Sequence, residues 1–140
     1  MPLKTVRTVG AAALVGLALL TLKPGIAVAE KLTNSVAVFA GLDKITGRII
    51  SFDVYIDETV QFGALQVTPR VCYNRPPTEP PQTTTFVEVD EITLNNEVRR
   101  IFTGWMFAST PGLHAVEHAV YDVWLTNCKM DSPVPTPDKQ

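Results

Sequence analysis

From Ser35 onward the chain alternates apolar and polar side chains with a period of two, the pattern of strands with one dry and one wet face. Ile50, Phe52, Val54 and Ile56 alternate with Ser51, Asp53, Tyr55 and Asp57. The apolar run Val36 to Leu42 precedes them, and Asp43-Lys44-Ile45-Thr46-Gly47 between the two reads as a hairpin loop with Gly47 in the left-handed conformation. Gln61 to Tyr73 predicts another strand, with Leu65, Val67 and Val71 on one side and Pro69 marking a bulge or an edge. Phe86 to Ile92 and Glu97 to Phe107 predict a second hairpin turning at Asn95-Asn96, residues that tolerate positive φ. That turn sets Phe86 against Trp105, Val89 against Phe102, and Glu91 against Arg100. The last pair reads as a cross-strand ion pair worth about a few tenths of a kcal/mol. Tyr121 to Cys128 is the final strand.

At least six strands without a ten-residue helical period between them predict an all-β domain. The expected form is a small antiparallel β-sandwich or a partly closed barrel. One short helical turn is expected over residues 111–118, because Thr110 suits an N-cap and Pro111 the first helical position. "NRPPTEPPQ", residues 74–82, holds four prolines in nine residues and reads as an exposed, rigid connector. In "FTGWMFAS" both faces are apolar: Ile101, Trp105 and Phe107 on one, Phe102, Met106 and Ala108 on the other. Such a strand is covered on both sides or offers one face to a partner.

The 140 residues do not all read as folded domain. Lys4 and Arg7 without an acid, the apolar run Thr8 to Leu22, and Ala27-Val28-Ala29 make a secretory signal peptide over residues 1–29. The run is too short for a spanning helix and is followed by Lys23-Pro24-Gly25, so no membrane span is expected after cleavage. The expected location is the periplasm. The remainder divides into a single β-domain at 30–128 and a proline-rich tail at 129–140 expected to be disordered.

Removing Lys4, Arg7 and Lys23 with the signal leaves nine basic residues against fourteen acidic ones. This acidity, without a basic cluster, sets aside nucleic acid and anionic lipid as partners. Cys72 and Cys128 are the only cysteines, and in an oxidising compartment they read as one disulfide, worth about 4 kcal/mol in the chain-entropy model.

"GLHAVEH" places His114, Glu117 and His118 in the H-x-x-E-H order of some zinc peptidases. On a helix the two imidazoles share a face, whereas on a strand they stand about 13 Å apart, so a shared metal at His114 and His118 requires the helix. No third histidine exists, and a helix would also turn Leu113, Val116 and Val120 inward, leaving both histidines wet. Ser109, His118 and Asp122 contain the residue types of an acyl-transfer triad, but no nucleophile elbow surrounds Ser109. The pairs Asp53 with Asp57 and Glu88 with Asp90 fit two-carboxylate chemistry less well than they fit a solvated strand face.

"FAGLDKITGRI", "RVCYNRPPTEPPQTTTFVEVDE" and "GWMFASTPGLHAVEHAVYDVWLTNC" resemble the family known as domain of unknown function 2155, small exported proteins of Gram-negative bacteria. The resemblance runs from about Val36 to Cys128. It implies export and one compact domain, and brings no activity, cofactor or partner. In the family's pattern Asn often stands at the position of His114 and Pro at that of Ala119, so the resemblance makes the H-x-x-E-H order a local accident. Cys72, Cys128, Trp105, Glu117, His118, Tyr121, Asp122 and Trp124 match the motif, which points to the last six as the candidate binding group. The expected function is therefore a non-enzymatic binding or accessory protein of the cell envelope. The alternatives are a metal-dependent hydrolase using His114, Glu117 and His118, and a glycan-binding module using Tyr55, Phe86, Trp105 and Trp124. No cofactor is implied, and the expected partners are an envelope protein or a glycan.

Overall fold

The computed structural model describes residue 25 and residues 31–136, so the predicted signal segment lies almost wholly outside the described residues. Among the described residues there are nine strands: β1 (Leu32–Thr33), β2 (Val36–Asp43), β3 (Arg48–Tyr55), β4 (Val60–Phe62), β5 (Leu65–Asn74), β6 (Thr84–Ile92), β7 (Val98–Phe107), β8 (Val116–Glu117) and β9 (Tyr121–Lys129). They make two antiparallel sheets. In the first, β1 and β4 both pair with β5, followed by β6 and β7; the second runs β3-β2-β9-β8. The domain is thus the predicted sandwich, and neither sheet closes on itself.

The period-two positions do what the alternation requires. Leu65 and Val67 of β5, Val87 and Val89 of β6, and Met106 of β7 meet Ala37, Phe39, Val54, Val123 and Leu125 of the other sheet in a dry core. Cys72 on β5 and Cys128 on β9 cross this core as a disulfide with a Cα separation of 5.7 Å, tying one sheet to the other.

Glycine permits two close approaches. A Cβ on Gly41 would stand 2.7 Å from the Phe62 ring, and one on Gly63, whose φ is +57°, would stand 2.3 Å from Tyr121. The β4–β5 turn can therefore lean on β2 and β9. A run of ring contacts results, from Phe39 to Phe52, Phe62 and Tyr121, at centroid distances of 5.9, 5.6 and 5.5 Å.

Gly47 has a φ of +70°, as its place in the β2–β3 loop demands. Asp43 supports that loop by accepting the Ile45 N–H through its side chain at 2.9 Å and the Gly47 N–H through its carbonyl at 2.8 Å. Pro69 precedes a bulge at Arg70, as expected, but that extra residue turns Val71 to the outer face opposite Phe86 rather than to the side of Leu65 and Val67.

The β6–β7 turn differs from expectation. It holds three residues, Leu94 to Asn96, with Asn96 alone at positive φ, 59°, and Thr93 N–H donating to Glu97 O at 2.8 Å. Pairing is consequently displaced by one near the turn, so Glu91 faces Arg99 and Asp90 faces Arg100. A bulge at Ile101 absorbs the offset, and beyond it Val89 faces Phe102 and Phe86 faces Trp105 as predicted.

The helical turn expected over residues 111–118 does not form. A turn closed by Leu113 N–H on Thr110 O, 3.0 Å, leads instead into β8, where Val116 and Glu117 pair with Val123 and Asp122. Leu113 is 68% exposed whereas Val116 is 1% exposed, so the two do not share a buried face. Sheet pairing with β9 satisfies the backbone that a two-turn helix would leave half unpaired.

Lys129, placed at the head of the tail by its sequence, closes β9. Beyond it the chain folds back along β3: Lys129 Nζ lies 2.6 Å from Asp53, Ser132 Oγ donates to the same carboxylate, and Tyr55 donates to Val134 O at 2.6 Å. Residues 137–140 lie outside the described residues. Burial raises the Asp53 pKa, but the Lys129 and Ser132 hydrogen bonds outweigh it and hold the carboxyl below its usual range.

Two outcomes follow from this packing. Replacing Cys72 and Cys128 together by Ser should cost about 2–5 kcal/mol in urea denaturation, because the denatured chain regains the freedom of a long loop. Because the Asp53 pKa is depressed by folding, its stabilisation should be complete above the ordinary carboxylate range and lost as pH falls through the lowered value. Asp53→Asn should therefore lose on the order of 1 kcal/mol at neutral pH and flatten the acid limb of the stability profile, read by the same denaturation from pH 2 to 7.

Candidate functional site

Where β6 leaves the sandwich, its inward phase passes from Val87 and Val89 to Glu91, which puts a carboxylate at the mouth of the core. His118 approaches it from the opposite sheet, in the tight turn between β8 and β9, and its Nε2 lies 2.8 Å from Glu91 Oε1. Both side chains are mostly buried. Arg99, across from Glu91 on β7, reaches its other oxygen at 2.7 Å. The His118 ring lies 5.5 Å from Tyr121, which continues the aromatic run described above.

The second imidazole nitrogen decides what this histidine can do. Nδ1 accepts the Val120 N–H at 3.0 Å, which places the ring proton on Nε2, where it is donated to Glu91. Both nitrogens are occupied, so no lone pair is presented to a metal or to a substrate proton. The backbone is equally committed: His118 N–H donates to Tyr121 O at 3.2 Å, and His118 O accepts Lys44 Nζ at 2.8 Å. Hydrogen bonds from His118 and then Arg99 hold the Glu91 carboxyl below its usual range.

On the outer side of the same turn, Glu117 faces Asp122 across the β8–β9 pair, and Lys44 Nζ bridges to Asp122 at 2.9 Å. With Trp124, Val116 and Pro111 these side chains border an open cleft of about 650 Å3. The structure thus gathers five of the six predicted binding residues at one end of the second sheet. Glu117, Asp122 and Trp124 face outward; His118 and Tyr121 face the core mouth. Trp105 stands apart, on the outer face of the first sheet, 40% exposed. It stacks with Tyr73 at 6.2 Å and meets the Phe86 edge at 5.4 Å.

The two histidines serve different contacts, since His114 lies against the Phe107 ring at 5.8 Å. Among the described residues no group of three His, Cys, Asp or Glu side chains is arranged to hold a metal ion. Asp122 pairs with Lys44 rather than with His118, so the Ser109, His118 and Asp122 set does not assemble as a relay. The paired carboxylates are each held by cations: Asp57 and Glu88 by Arg70, Asp90 by Arg100, and Asp53 by Lys129.

Glu91, Arg99 and Lys44 were absent from the predicted site. The signal for Glu91 was its phase: a carboxylate two residues beyond Val89 on the buried side of a strand needs a partner. Lys44 and Arg99 carried no such signal, because hairpin cations are ordinarily solvated.

Fold and site together define a disulfide-linked antiparallel β-sandwich with a histidine–carboxylate hydrogen bond closing one end. Residues 37–128 match a family described as an uncharacterized protein conserved in bacteria, domain of unknown function 2155, and the chain belongs to that family. No curated protein and no solved structure matches the chain.

Glu91 carries a pH dependence of known sign. Its pKa is depressed by folding, so the stabilisation is present above the ordinary glutamate value of about 4.3 and is lost as pH falls through the lowered one. Glu91→Gln should lower the urea midpoint at pH 7 and narrow the gap to the parent protein at pH 3; an unchanged gap would show that the ion pair contributes nothing.

Proposed function

We propose that the protein is an exported, non-enzymatic accessory or binding protein of the cell envelope, acting in the periplasm after cleavage behind Ala29. Lys4, Arg7 and the apolar run to Leu22 support export, and a disulfide suits an oxidising compartment. Among the described residues no helix is long and apolar enough to cross a membrane.

One observation carries the reading. The end of the sandwich where His118 lies bears aliphatic side chains turned to solvent: Leu94 and Val98 on the β6–β7 hairpin, and Ile45 and Ile49 on the β2–β3 hairpin. Scattered apolar residues need no account, but four on two hairpins at the His118 end of a 15.3 kDa chain favour contact with another protein. The Glu91–His118 bond anchors these hairpins by tying the two sheets together beneath them. The commitment of His118 to Glu91 and Val120, and of Asp122 to Lys44, supports a role without catalysis.

A second reading, a glycan-binding module, is favoured by Trp105, whose indole lies open on the first sheet while its buried neighbour Met106 fills the core. Tyr55 does not join it, since it sits on β3 of the other sheet under the tail.

A photocrosslinker placed at position 94 of the full chain, expressed in its own cells, should trap one reproducible envelope protein. The same group at Ser51 should not, and Ile45→Glu should abolish the adduct. A strictly monomeric protein with no reproducible adduct would sink the proposal.

A further inference from the structure

The outer face of the first sheet changes character along its length. Toward the β6–β7 turn it carries an ion-pair ladder in which Arg70 bridges Asp57 and Glu88, and Arg100 bridges Glu88 and Asp90. Toward the other end the same outward phase carries Tyr73, Phe86, Trp105 and Phe107, placed by the pairing of Tyr73 with Thr84, Thr84 with Phe107, and Phe86 with Trp105. The inward phase between them, Cys72, Thr85 and Met106, is buried. These rings are therefore not core residues.

Tyr73 and Trp105 stack at an interplanar angle of 27° and make an aromatic floor, with Phe86 set edge-on to Trp105 at 73°. The floor belongs to a cleft of about 290 Å3 walled by Lys31, Asn74, Arg75, Gln82 and Thr84. Neither the Trp105 indole N–H nor the Tyr73 hydroxyl has a hydrogen-bond partner among the described residues. Asn74 uses its oxygen for Asn34 at 2.9 Å, which leaves its amide hydrogens for another acceptor. The Lys31 ammonium stands 5.4 Å from the Tyr73 ring. In a chain with more acids than bases, no carboxylate of the described residues lines this cleft.

We propose that this cleft binds a saccharide carrying a carboxylate. One face of a pyranose presents axial C–H bonds, whose positive ends suit the negative face of an indole. Amide and hydroxyl groups at the rim meet ring hydroxyls, and Lys31 meets the carboxylate. Lys31, with no acid among the described wall residues, favours an anionic over a cationic ligand by simple charge complementarity. A polyproline segment also uses aromatic grooves; the cleft is small for an extended peptide, and the ring-sized floor favours the sugar. The inference rests on the reading of the protein as a binding module and names the ligand class for its Trp105 site.

The test uses the oxidised mature protein and follows the indole N–H resonances of Trp105 and Trp124 by NMR. The probes are trigalacturonate, its neutral methyl ester, and a proline-rich decapeptide. Trigalacturonate should shift the Trp105 resonance and leave Trp124 in place. The methyl ester should bind several-fold more weakly. Trp105→Ala should weaken binding by roughly tenfold or more, as read from the other shifted amides. Lys31→Gln, at a site remote from the core, should reduce trigalacturonate to the level of its ester. No shift at millimolar trigalacturonate, equal binding of acid and ester, or tighter binding of the decapeptide at Trp105 would each overturn the inference. If the adduct at position 94 persists while the saccharide fails to bind, the envelope-accessory reading stands and only this site falls.

Discussion

Two sheets can share one dry core only if every strand keeps its apolar phase turned inward along its full length, because a slip of one residue moves the whole apolar set into water. Here that constraint is met by extra residues rather than by uniform strands. Arg70 is squeezed out of β5, Ile101 out of β7 and Thr126 out of β9, and each bulge restores a register that a proline, a three-residue turn or a shift against β2 would otherwise displace. Val67, Val87, Val89, Met106 and Leu125 stay buried as a result. The disulfide joins β5 to β9 across the same core, so it restrains sliding of one sheet over the other as well as shortening the unfolded chain.

The bulges also distribute polar chemistry. Arg70, pushed outward, becomes the hub of the ladder with Asp57 and Glu88, and its guanidinium pKa is raised by those two hydrogen bonds. The offset between the β6–β7 turn and Ile101 gives Arg99 to Glu91 and Arg100 to Asp90. Glu91, on the inward phase, is then left at the rim of the core with Arg99 on one side and His118 on the other. A lone carboxylate there would be costly; a carboxylate with two donors closes the end of the sandwich. His118 and Glu91 thus form a seam between the sheets, while the exposed hairpin residues and Trp105 stand outside it.

Much of this was legible from local pattern. The alternation in β3, the left-handed Gly47, the bulge after Pro69 and the single disulfide each follow from short-range rules. The helical expectation over 111–118 failed because Thr110 and Pro111 are equally at home in a turn, and the choice was made by Val116, which gains more from pairing with Val123 of a strand seven residues later. The Glu91–Arg100 pairing failed by one residue, since Asn95-Asn96 is compatible with both a two-residue and a three-residue turn and only Asn96 takes positive φ. Of the candidate group, Glu117, His118, Tyr121, Asp122 and Trp124 were neighbours in the chain and remained so in space, whereas their partners Lys44, Glu91 and Arg99 come from two distant hairpins.

The sequence by itself determined the all-β class, the oxidised cysteine pair, and the alternation of strands such as β3, because period, redox chemistry and turn preference act over a few residues. The tertiary structure alone decided that His118 spends both ring nitrogens on Glu91 and Val120, that Trp105 lies open beside Tyr73, and that residues 130–136 fold back onto Asp53 and Tyr55. Each of these depends on which outward or rim position of one element meets which of another, and that is fixed by sheet order and bulge placement rather than by the spacing of residues along the chain.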